Sequence, residues 1–389
     1  MILKGIRVLD LSRVIAGPYG AQILADLGAE VIKIESPGGG DDSRNTYPKK
    51  DGVVSAFYAA YNLGKKSVTL NLKRPEAKEA FYRLVKTADV VIENFRTGVA
   101  EKLGVGYEQL REIKPDLIYC SVCGYSRTGP YRYKGGYDMI AQAQFGMMAI
   151  TGNGRDDEPV RTAYSINDVG TGINTAFGVV CALLHRQQTG EGQRLETSLM
   201  YTQMAYAGHM ATMYDFTRED HKCHGMASFQ LAPHQGYRAK DGWVIIATSN
   251  EKQWDKICTI PGFEHLHDDP LYCTMKLRVD NRGLLTREFE KKFSSMTAKE
   301  VEQMFDALDI PVTKVNQMRD VYENNYFRHA TMDDVEFPGH GTMPFPKTPF
   351  ILERVKPAGR RAAPELGADN QAILGALGYT SNEIQSVCG

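Results

Sequence analysis

The sequence lacks several features that mark special classes of protein. No hydrophobic run approaches the roughly 20 residues that span a bilayer, the longest being Phe177–Leu184. Lys and Arg total 46 against 47 Asp and Glu, so no charge excess steers the chain to nucleic acid or membrane. The N-terminus has no hydrophobic segment followed by a small-residue cleavage site, which predicts a cytoplasmic protein. We therefore expect no nucleic-acid partner and no membrane partner.

Cysteine is also scarce: there are seven, an odd number without the spacing of a disulfide framework. Cys120 and Cys123 form a C-x-x-C within "LIYCSVCGY", a stretch typical of a buried strand. Without a second pair at zinc-site spacing, two core residues are favoured over a redox pair or half a zinc site. His265 and His267, in "EHLHDDP", have no ligand cluster around them and indicate a solvated loop. We expect no metal site.

The first half of the chain alternates short apolar runs with helical periodicity. The predicted strands are Ile6–Leu11, Val31–Ile34, Ser67–Leu72, Asp89–Ile92 and Leu117–Val122, and the predicted helices include Gly17–Leu27, a segment beginning near Pro75, and Tyr107–Ile113. Such alternation is typical of βαβ units, in which a parallel sheet is covered by helices. The fold class predicted is therefore α/β.

A length of 389 residues favours two domains. Residues 1–224 form the predicted large domain, and residues 225–325 a small α+β domain that opens with a hairpin at Asp241-Gly242. The helices predicted in the small domain are Glu251–Thr259, Arg278–Phe293 and Ala298–Leu308, followed by the strand-like "IPVTKVN". The Pro- and Gly-rich residues 326–389 are interpreted as an extended return that completes the large domain or meets a partner subunit.

Asp168 is the main candidate for chemistry. It precedes a long apolar segment that predicts a helix ending near Gly190, and Gly170 and Gly172 leave the backbone beside it bare. One interpretation is an ordinary helix N-cap, worth about 1 kcal/mol. The other is a nucleophile that attacks an activated acyl group. In either case we expect the helix dipole to favour the ionised carboxylate and to lower its pKa.

The first strand–turn–helix resembles a dinucleotide site but lacks its fingerprint. The turn "SRVIAGPYGA" is not G-x-G-x-x-G, which argues against a nicotinamide cofactor, although helix N–H groups there suit a phosphate. The loop Ser36–Arg44 is either a ligand loop at a strand end or a surface loop. Lys73 and Arg96 follow predicted strands and Lys102 lies in the next turn. Each is either a solvated surface charge or, if they converge, part of a site for a phosphate-rich ligand. Tyr137 follows two glycines and suits either a substrate contact or core packing.

Taken together, these segments resemble the class III CoA-transferases, the group that includes the formyl-CoA, carnitine and bile-acid CoA-transferases. The resemblance begins with "LKGIRVLDLSRVIAGPYGAQILADLGAEVIKIESPGGGDDSR", "KKSVTLNLK", "ADVVIENFRTGVAEKLG" and "LIYCSVCGYSRTGP". It continues through "GGYDMIAQAQFGMMAITG", "NDVGTG", "TGEGQRLETSL", "LRVDNR" and "APELGADN". It covers almost the whole chain in order, and is more specific than any one motif.

The resemblance implies a Rossmann-like large domain, a smaller domain and an interlocked homodimer. It implies that acyl-CoA and a carboxylic acid are the substrates and that no cofactor is tightly bound. The catalytic aspartate of the family falls on Asp168, and its active-site tyrosine falls on Tyr137. The positions that contact CoA match Val14, Ala16, Leu70, Lys73, Asn94 and Phe95, with Lys102 in place of a frequent arginine.

Two departures from formyl-CoA transferase bear on specificity. The tetraglycine loop of that enzyme is absent, and Arg13 and Ile15 stand where it carries a histidine and a glutamine. An arginine there resembles the subgroup that uses succinyl-CoA and other dicarboxylates, so Arg13 is expected to bind a distal carboxylate. The alternatives are an acyl-CoA racemase or isomerase of the same superfamily, although "GGYDM" lacks the histidine of the racemases, an NAD-linked dehydrogenase, and a non-catalytic CoA-binding protein.

Overall fold

The computed structural model describes residues 1–154, 158–355 and 359–389. These residues form two compact units. The first contains Met1–Met147, Arg161–Glu219 and His329–Gly389, and the second contains Met148–Val160 and Asp220–Arg328. No helix among the described residues is long and apolar enough to cross a membrane.

The strands are β1 (Arg7–Asp10), β2 (Glu30–Glu35), β3 (Lys49–Lys50), β4 (Val54–Ser55), β5 (Lys66–Thr69), β6 (Val90–Glu93), β7 (Ile118–Cys123), β8 (Gln193–Ser198), β9 (His234–Arg238), β10 (Trp243–Ala247), β11 (Val312–Lys314), β12 (Met332–Phe337) and β13 (Gly341–Pro346). The helices are α1 (Ala16–Asp26), α2 (Ala56–Ala60), α3 (Pro75–Lys86), α4 (Val99–Leu103), α5 (Tyr107–Ile113), α6 (Asp138–Gln144), α7 (Met147–Ile150), α8 (Ile166–Thr189), α9 (Leu199–Thr217), α10 (Glu251–Cys258), α11 (Met275–Asp280), α12 (Arg282–Phe293), α13 (Ala298–Asp306), α14 (Met318–Glu323), α15 (Asn325–Thr331), α16 (Asn370–Ala376) and α17 (Ser381–Cys388).

The first unit is built on a parallel sheet in the order β5-β2-β1-β6-β7-β8. Its central strands are apolar in a continuous run because helices cover both faces. The order reverses between β1 and β6, as in doubly wound Rossmann sheets, and ligands of such sheets bind at the strand ends where the order reverses. The predicted α/β fold with a parallel sheet is confirmed.

Two apolar layers hold the helices to this sheet. One contains Phe81 and Leu84 of α3 together with Leu374 of α16. The other contains Leu24 of α1 and Val179 of α8. Helices α1 and α8 approach closely, because a Cβ added at Gly20 would lie 2.8 Å from the Gly172 carbonyl oxygen. The backbone of α8 is thereby fixed close to α1.

The C-terminal segment closes the β5 edge of the sheet. The Ser67 N–H donates to the Asp369 carboxylate at 2.8 Å, and the Asp369 N–H donates to the Ser67 carbonyl at 3.0 Å. The Thr69 N–H donates to Asn370 Oδ1 at 2.9 Å. Residues 326–389 were predicted as an extended return, but β12 and β13 pair as an antiparallel hairpin within them. Glycine and proline marked the chain reversals there without revealing the strand pairing between them.

The second unit contains the antiparallel sheet β11-β10-β9 and a core rich in phenylalanine. The predicted helix Arg278–Phe293 is wrong, because α11 ends at Asp280 and α12 begins at Arg282. Arg278 is fully buried: it packs on Trp254, pairs with Glu251 and donates to two backbone carbonyls. The apolar periodicity did not show that this arginine, three residues before the break at Asn281, is buried in the core.

The boundaries of the two units differ from the predicted residues 1–224 and 225–325. Residues 148–160, which the sequence analysis placed in the large domain, belong to the second unit. There a Cβ added at Gly154 would lie 2.9 Å from the Gly225 nitrogen. A contact between segments about 70 residues apart leaves no local signal in composition or periodicity, so the sequence did not reveal it.

Candidate active site

A cavity of about 510 Å³ lies at the strand ends where the sheet order reverses. It is lined by Arg13, Val14, Ala16, Asp42, Lys73, Asn94, Phe95, Arg96, Thr97, Val99, Leu103, Val122, Cys123, Gly124, Tyr125, Arg132, Lys134, Gly135, Gly136, Tyr137, Asp168 and Leu199. The structure therefore brings together most of the site residues named from the sequence. The exceptions are Leu70 and Lys102.

The two exceptions have different surroundings. The side chain of Leu70 is 2% exposed and packs in the core, so it does not face the cavity. Lys102 is exposed on α4, whose Val99 and Leu103 line the cavity while Lys102 itself does not. The resemblance to the family matched both residues to positions that contact CoA, but a motif match does not show which way a side chain points.

Asp168 is the third residue of α8, not its N-cap, because the helix begins at Ile166. The first-turn N–H groups of α8 are instead satisfied by Asp138 of α6. Its Oδ1 accepts from Asn167 N–H at 2.7 Å and from Asp168 N–H at 3.4 Å, and its Oδ2 accepts from Gln142 Nε2 at 2.6 Å. The interpretation of Asp168 as an N-cap is therefore wrong. Its half-buried carboxylate accepts no hydrogen bond from the described residues and lines the cavity.

The expected lowering of the Asp168 pKa is also wrong. Burial, and then the negative charge of Asp138, raise the pKa of Asp168 from 3.8 to about 7. The helix dipole favours the ionised form, but the helix N–H groups that carry most of that effect are already bonded to Asp138. Desolvation and a like charge therefore outweigh the dipole. Asp138, 6% exposed, was missed from the sequence because its partner helix begins about 30 residues later.

The segment that carries Tyr137 is fixed by a close approach of two backbones. A Cβ added at Gly136 would lie 2.4 Å from the Gly124 Cα, so neither position has room for a side chain. This contact holds the segment before α6 against the end of β7. Tyr137 then projects into the cavity and stays 67% exposed. Of the two interpretations of Tyr137, the structure favours the site over core packing.

Positive charge collects at the cavity. Arg13, Lys73 and Arg96 follow three different strands, and Arg132 and Lys134 come from the loop before Tyr137. All five are exposed, and the Asp42 carboxylate lies 3.9 Å from Arg13 Nη1. Arg132 and Lys134 were not singled out from the sequence, although the basic and glycine-rich "RYKGG" directly before Tyr137 was an available signal. Such a cluster suits a ligand with several phosphates.

Asn94 supports the turn after β1. Its Oδ1 accepts from Arg13 N–H at 2.9 Å, and its Nδ2 donates to the Arg13 carbonyl at 2.8 Å. Both ends of the Asn94 amide are therefore bonded to protein backbone. The residue shapes the cavity wall in addition to any contact that it makes with a ligand.

The cysteines and histidines noted in the sequence lie outside this chemistry. Cys120 is buried in β7 and Cys123 is half-buried beside the cavity, and burial raises the pKa of Cys123 to about 12, so its thiol stays protonated. His265 and His267 lie at an exposed 3₁₀ turn. Among the described residues, no group of three or more His, Cys, Asp or Glu side chains is arranged to hold a metal ion.

Comparison with known proteins agrees with this geometry. The family model described as CoA-transferase family III matches residues 3–370. Succinyl-CoA:glutarate CoA-transferase of Homo sapiens is 34% identical over 96% of this chain and 85% of its own length. Succinyl-CoA:mesaconate CoA-transferase of Haloarcula hispanica is 33% identical over 99% of both chains. The crystal structure of a CAIB/BAIF family protein from Brucella suis superposes with a TM-score of 0.87, at 34% identity over 96% of this chain and 99% of its own. The chain is therefore an enzyme of CoA-transferase family III.

Proposed function

We propose that this enzyme moves CoA from an acyl-CoA donor, succinyl-CoA or a similar dicarboxylyl-CoA, to a carboxylic acid, with Asp168 as the nucleophile. The observation that carries the proposal is the state of the Asp168 carboxylate. It lines the cavity and accepts no hydrogen bond from the described residues, because Asp138 has taken over the capping of α8. A carboxylate with so little solvation is a stronger nucleophile than one in water.

The chemistry proceeds through two kinds of covalent intermediate. Asp168 attacks the thioester carbonyl and displaces CoA thiolate, which leaves an acyl-aspartyl anhydride. The thiolate then attacks the Asp168 carbonyl of the anhydride, which releases the donor acid and forms an aspartyl-CoA thioester. The acceptor carboxylate attacks this thioester, and the returning thiolate cleaves the new anhydride at the acceptor carbonyl. The product acyl-CoA leaves and Asp168 is a free carboxylate again.

The cavity charges support CoA as the ligand. The nucleotide part of CoA carries phosphates, and Lys73, Arg96, Arg132 and Lys134 supply cations around one opening. Arg13 lines the same cavity and is placed to pair with the distal carboxylate of a succinyl group. A planar guanidinium binds a carboxylate in a bidentate manner. The named activities of the similar proteins, with succinyl-CoA and dicarboxylates, agree with this assignment.

The alternative of an acyl-CoA racemase or isomerase finds less support. That chemistry removes an α-proton and needs a base beside the thioester. No histidine lines the cavity among the described residues. Asp138 lies in the segment "GGYDM", where the racemases carry a histidine. It is buried and accepts hydrogen bonds from the start of α8. Incorporation of solvent deuterium at the α-carbon of the acyl group, without CoA exchange, would favour this alternative.

We also propose that two copies interlock as a homodimer. Helices α8 and α9 leave large apolar side chains uncovered in the single chain: Phe177 is 69% exposed and Phe216 is 81% exposed. Apolar exposure on this scale is typical of an interface. Light scattering on the purified protein at micromolar concentration tests whether it is a dimer, with twice the 43.3 kDa chain mass expected.

The decisive experiment is an acceptor screen. Succinyl-CoA and acetyl-CoA are each incubated with a panel of mono- and dicarboxylic acids, and the CoA esters formed are identified by mass spectrometry. We expect new esters with dicarboxylate acceptors from succinyl-CoA, and none with Asp168→Ala. Hydroxylamine added during turnover is expected to convert Asp168 to a hydroxamate. CoA exchange by Asp168→Ala at the wild-type rate would refute the role of Asp168.

A further inference from the structure

Val14 has a backbone conformation that β-branched residues rarely adopt. Its φ is 72°, in the left-handed region, and it lies in the turn between β1 and α1 that lines the cavity. A β-branched side chain is disfavoured there by clashes with its own backbone. Such a conformation persists only where the surroundings impose it, and strained residues cluster at functional sites.

Asp41 contacts the Val14 backbone directly in this conformation. The Val14 N–H faces the Asp41 carboxylate, 3.1 Å from Oδ1 and 3.3 Å from Oδ2. Asp41 is 1% exposed and stands at the end of the glycine-rich loop Ser36–Arg44, whose role the sequence left open. That loop therefore contributes one buried carboxylate to the support of the turn, in addition to Asp42 on the cavity wall.

Asp41 is itself fixed by buried groups. Lys33 Nζ lies 2.9 Å from Asp41 Oδ2 and donates to the Ser12 carbonyl at 2.7 Å, two residues before Val14. Asp10 and Lys65 complete a set of two carboxylates and two ammonium groups with no net charge, and all four side chains are 0% exposed. Burial alone would raise the pKa of Asp41, but the Lys33 charge holds that pKa below its ordinary value.

We propose that Asp41, backed by Lys33, is a positioning residue for CoA: it holds Val14 in the left-handed conformation and so sets the turn that presents Arg13 and Val14 to the cavity. The inference rests on the proposed function, because it takes CoA as the occupant of the cavity. Asp41 does not contact the ligand in this scheme. Its effect is on the affinity for CoA. If the free protein does not already adopt the turn, part of the binding free energy is used to form it.

A double-mutant cycle tests the inference. Free CoA binding is measured by calorimetry, and KM and kcat are measured with succinyl-CoA. Asp41→Ala is expected to weaken CoA binding and raise KM about tenfold with kcat within about twofold. Val14→Gly is expected to restore most of the lost affinity in the Asp41→Ala background, because glycine adopts positive φ without strain. Val14→Gly alone supplies the fourth corner of the cycle, so that any loss of the Val14 side-chain contact with CoA is separated from the coupling to Asp41.

Asp26→Ala is the matched control. Asp26 is similarly buried and pairs with Arg360 at 2.6 Å, remote from the turn. Any loss of affinity that it causes through general loosening is not expected to be restored by Val14→Gly. If Asp41→Ala does not fold, Asp41→Asn keeps an oxygen for the Val14 N–H while removing the charge, and a smaller loss with the same rescue is expected.

The inference alone would be overturned by wild-type affinity in Asp41→Ala or Asp41→Asn, or by a loss that Val14→Gly does not restore. A fall in kcat with unchanged KM would do the same, because it would place the effect of Asp41 on the chemical step. Failure of the wild-type protein to bind CoA would overturn the CoA cavity and this inference together. The two kinds of failure are therefore distinguishable.

Discussion

At the scale of the residue, Asp168 and Asp138 divide two tasks that one aspartate was expected to perform. Asp138 accepts the hydrogen bonds at the start of α8, and Asp168 keeps its carboxylate for the cavity. The cost is electrostatic, because the two carboxylates repel each other in a poorly solvated place. A pKa of about 7 for Asp168 means that the ionised form gains population as the pH rises through neutrality.

Asp168→Asn is expected to abolish transfer while stabilising the protein at alkaline pH. We expect kcat to fall at least about 1000-fold, as for loss of other nucleophiles. The folded pKa of about 7 exceeds the ordinary 3.8, so the native state binds this proton more tightly than the unfolded state does. That contribution to stability is complete below pH 4 and is lost as the pH rises through 7. Asparagine does not ionise, so the variant avoids this loss of up to about 4 kcal/mol in the free energy of unfolding.

Urea unfolding of the wild type and of Asp168→Asn at pH 4.5 and pH 8 measures this difference. The variant should gain stability over the wild type mainly at the higher pH. An equal effect of the substitution on the free energy of unfolding at both pH values would contradict the raised pKa.

Asp138→Asn is expected to move the pH dependence of activity. Asparagine retains an oxygen for the Asn167 N–H but removes the negative charge, so the pKa of Asp168 falls and the rising limb of kcat/KM moves to lower pH by about half a unit or more. Burial remains, so the pKa stays above 3.8. Tyr61, directly after α2, interacts with Asp168, and Tyr206 on α9 interacts with Asp138. Burial raises the pKa of both tyrosines, so neither ionises near neutral pH.

The measurement is kcat/KM for succinyl-CoA between pH 5 and pH 9. Asp138→Ala, which removes the cap as well as the charge, serves as the comparison and is expected to lower kcat further. A limb at the same pH in Asp138→Asn and in the wild type would show that Asp138 does not set the ionisation of Asp168.

At the scale of the element, the close packing of α1 on α8 holds the helix that carries Asp168. In Gly20→Ala, the new Cβ would lie 2.7 Å from the Thr175 side chain and 2.8 Å from the Gly172 carbonyl oxygen. Overpacking of this kind is expected to cost about 1–3 kcal/mol of stability. Because α8 must move to relieve it, kcat is expected to fall by about tenfold or more.

Gly178→Ala in the same helix is the control. Its Cβ would meet only the end of the half-buried Leu195 side chain, at 3.1 Å. The higher helix propensity of alanine, about 1 kcal/mol, then offsets the contact. The unfolding temperature and kcat are measured for Gly20→Ala and Gly178→Ala. Equal losses in the two variants would refute a special role for the α1–α8 contact.

Local patterns predicted most of the elements in the first unit. Tyr107–Ile113 agrees with α5 at both ends, and the predicted strand Val31–Ile34 lies within β2. Features that depend on distant partners were not predictable in this way. Asp138 caps a helix about 30 residues later, Arg278 enters a core built from other segments, and the conformation of Val14 depends on Asp41. Apolar periodicity describes one element at a time, whereas these contacts join several.

The candidate site divides along the same line. The resemblance to the family named Asp168, Tyr137 and Arg13, and all three line one cavity. It did not give the pKa of Asp168, which depends on burial and on a second carboxylate. The resemblance also matched Leu70 to a position that contacts CoA, but the Leu70 side chain packs in the core.

At the scale of the whole molecule, a net charge of −1 conceals a strongly cationic cavity. CoA binding is therefore expected to weaken about fivefold or more between 50 and 500 mM NaCl, because salt screens exposed cations from phosphates. Pantetheine, which has the thiol arm without the phosphates, is expected to show little salt dependence. Calorimetric titration with both ligands measures this, and equal salt dependence would argue against phosphate binding by the basic cluster.

The closure of the β5 edge by Asp369 and Asn370 also has a consequence for the nascent chain. Ser67 and Asp369 are 302 residues apart in sequence. At about 5–20 residues per second, the ribosome needs roughly 15–60 s to reach Asp369 after it has added Ser67. For that time the N–H and C=O groups at the outer side of β5 have no partner from this segment, and open strand edges recruit other strands. We expect the yield of soluble protein to depend on chaperones that protect the chain until residue 369 has been synthesised. The yield is expected to fall sharply when translation stalls before that residue.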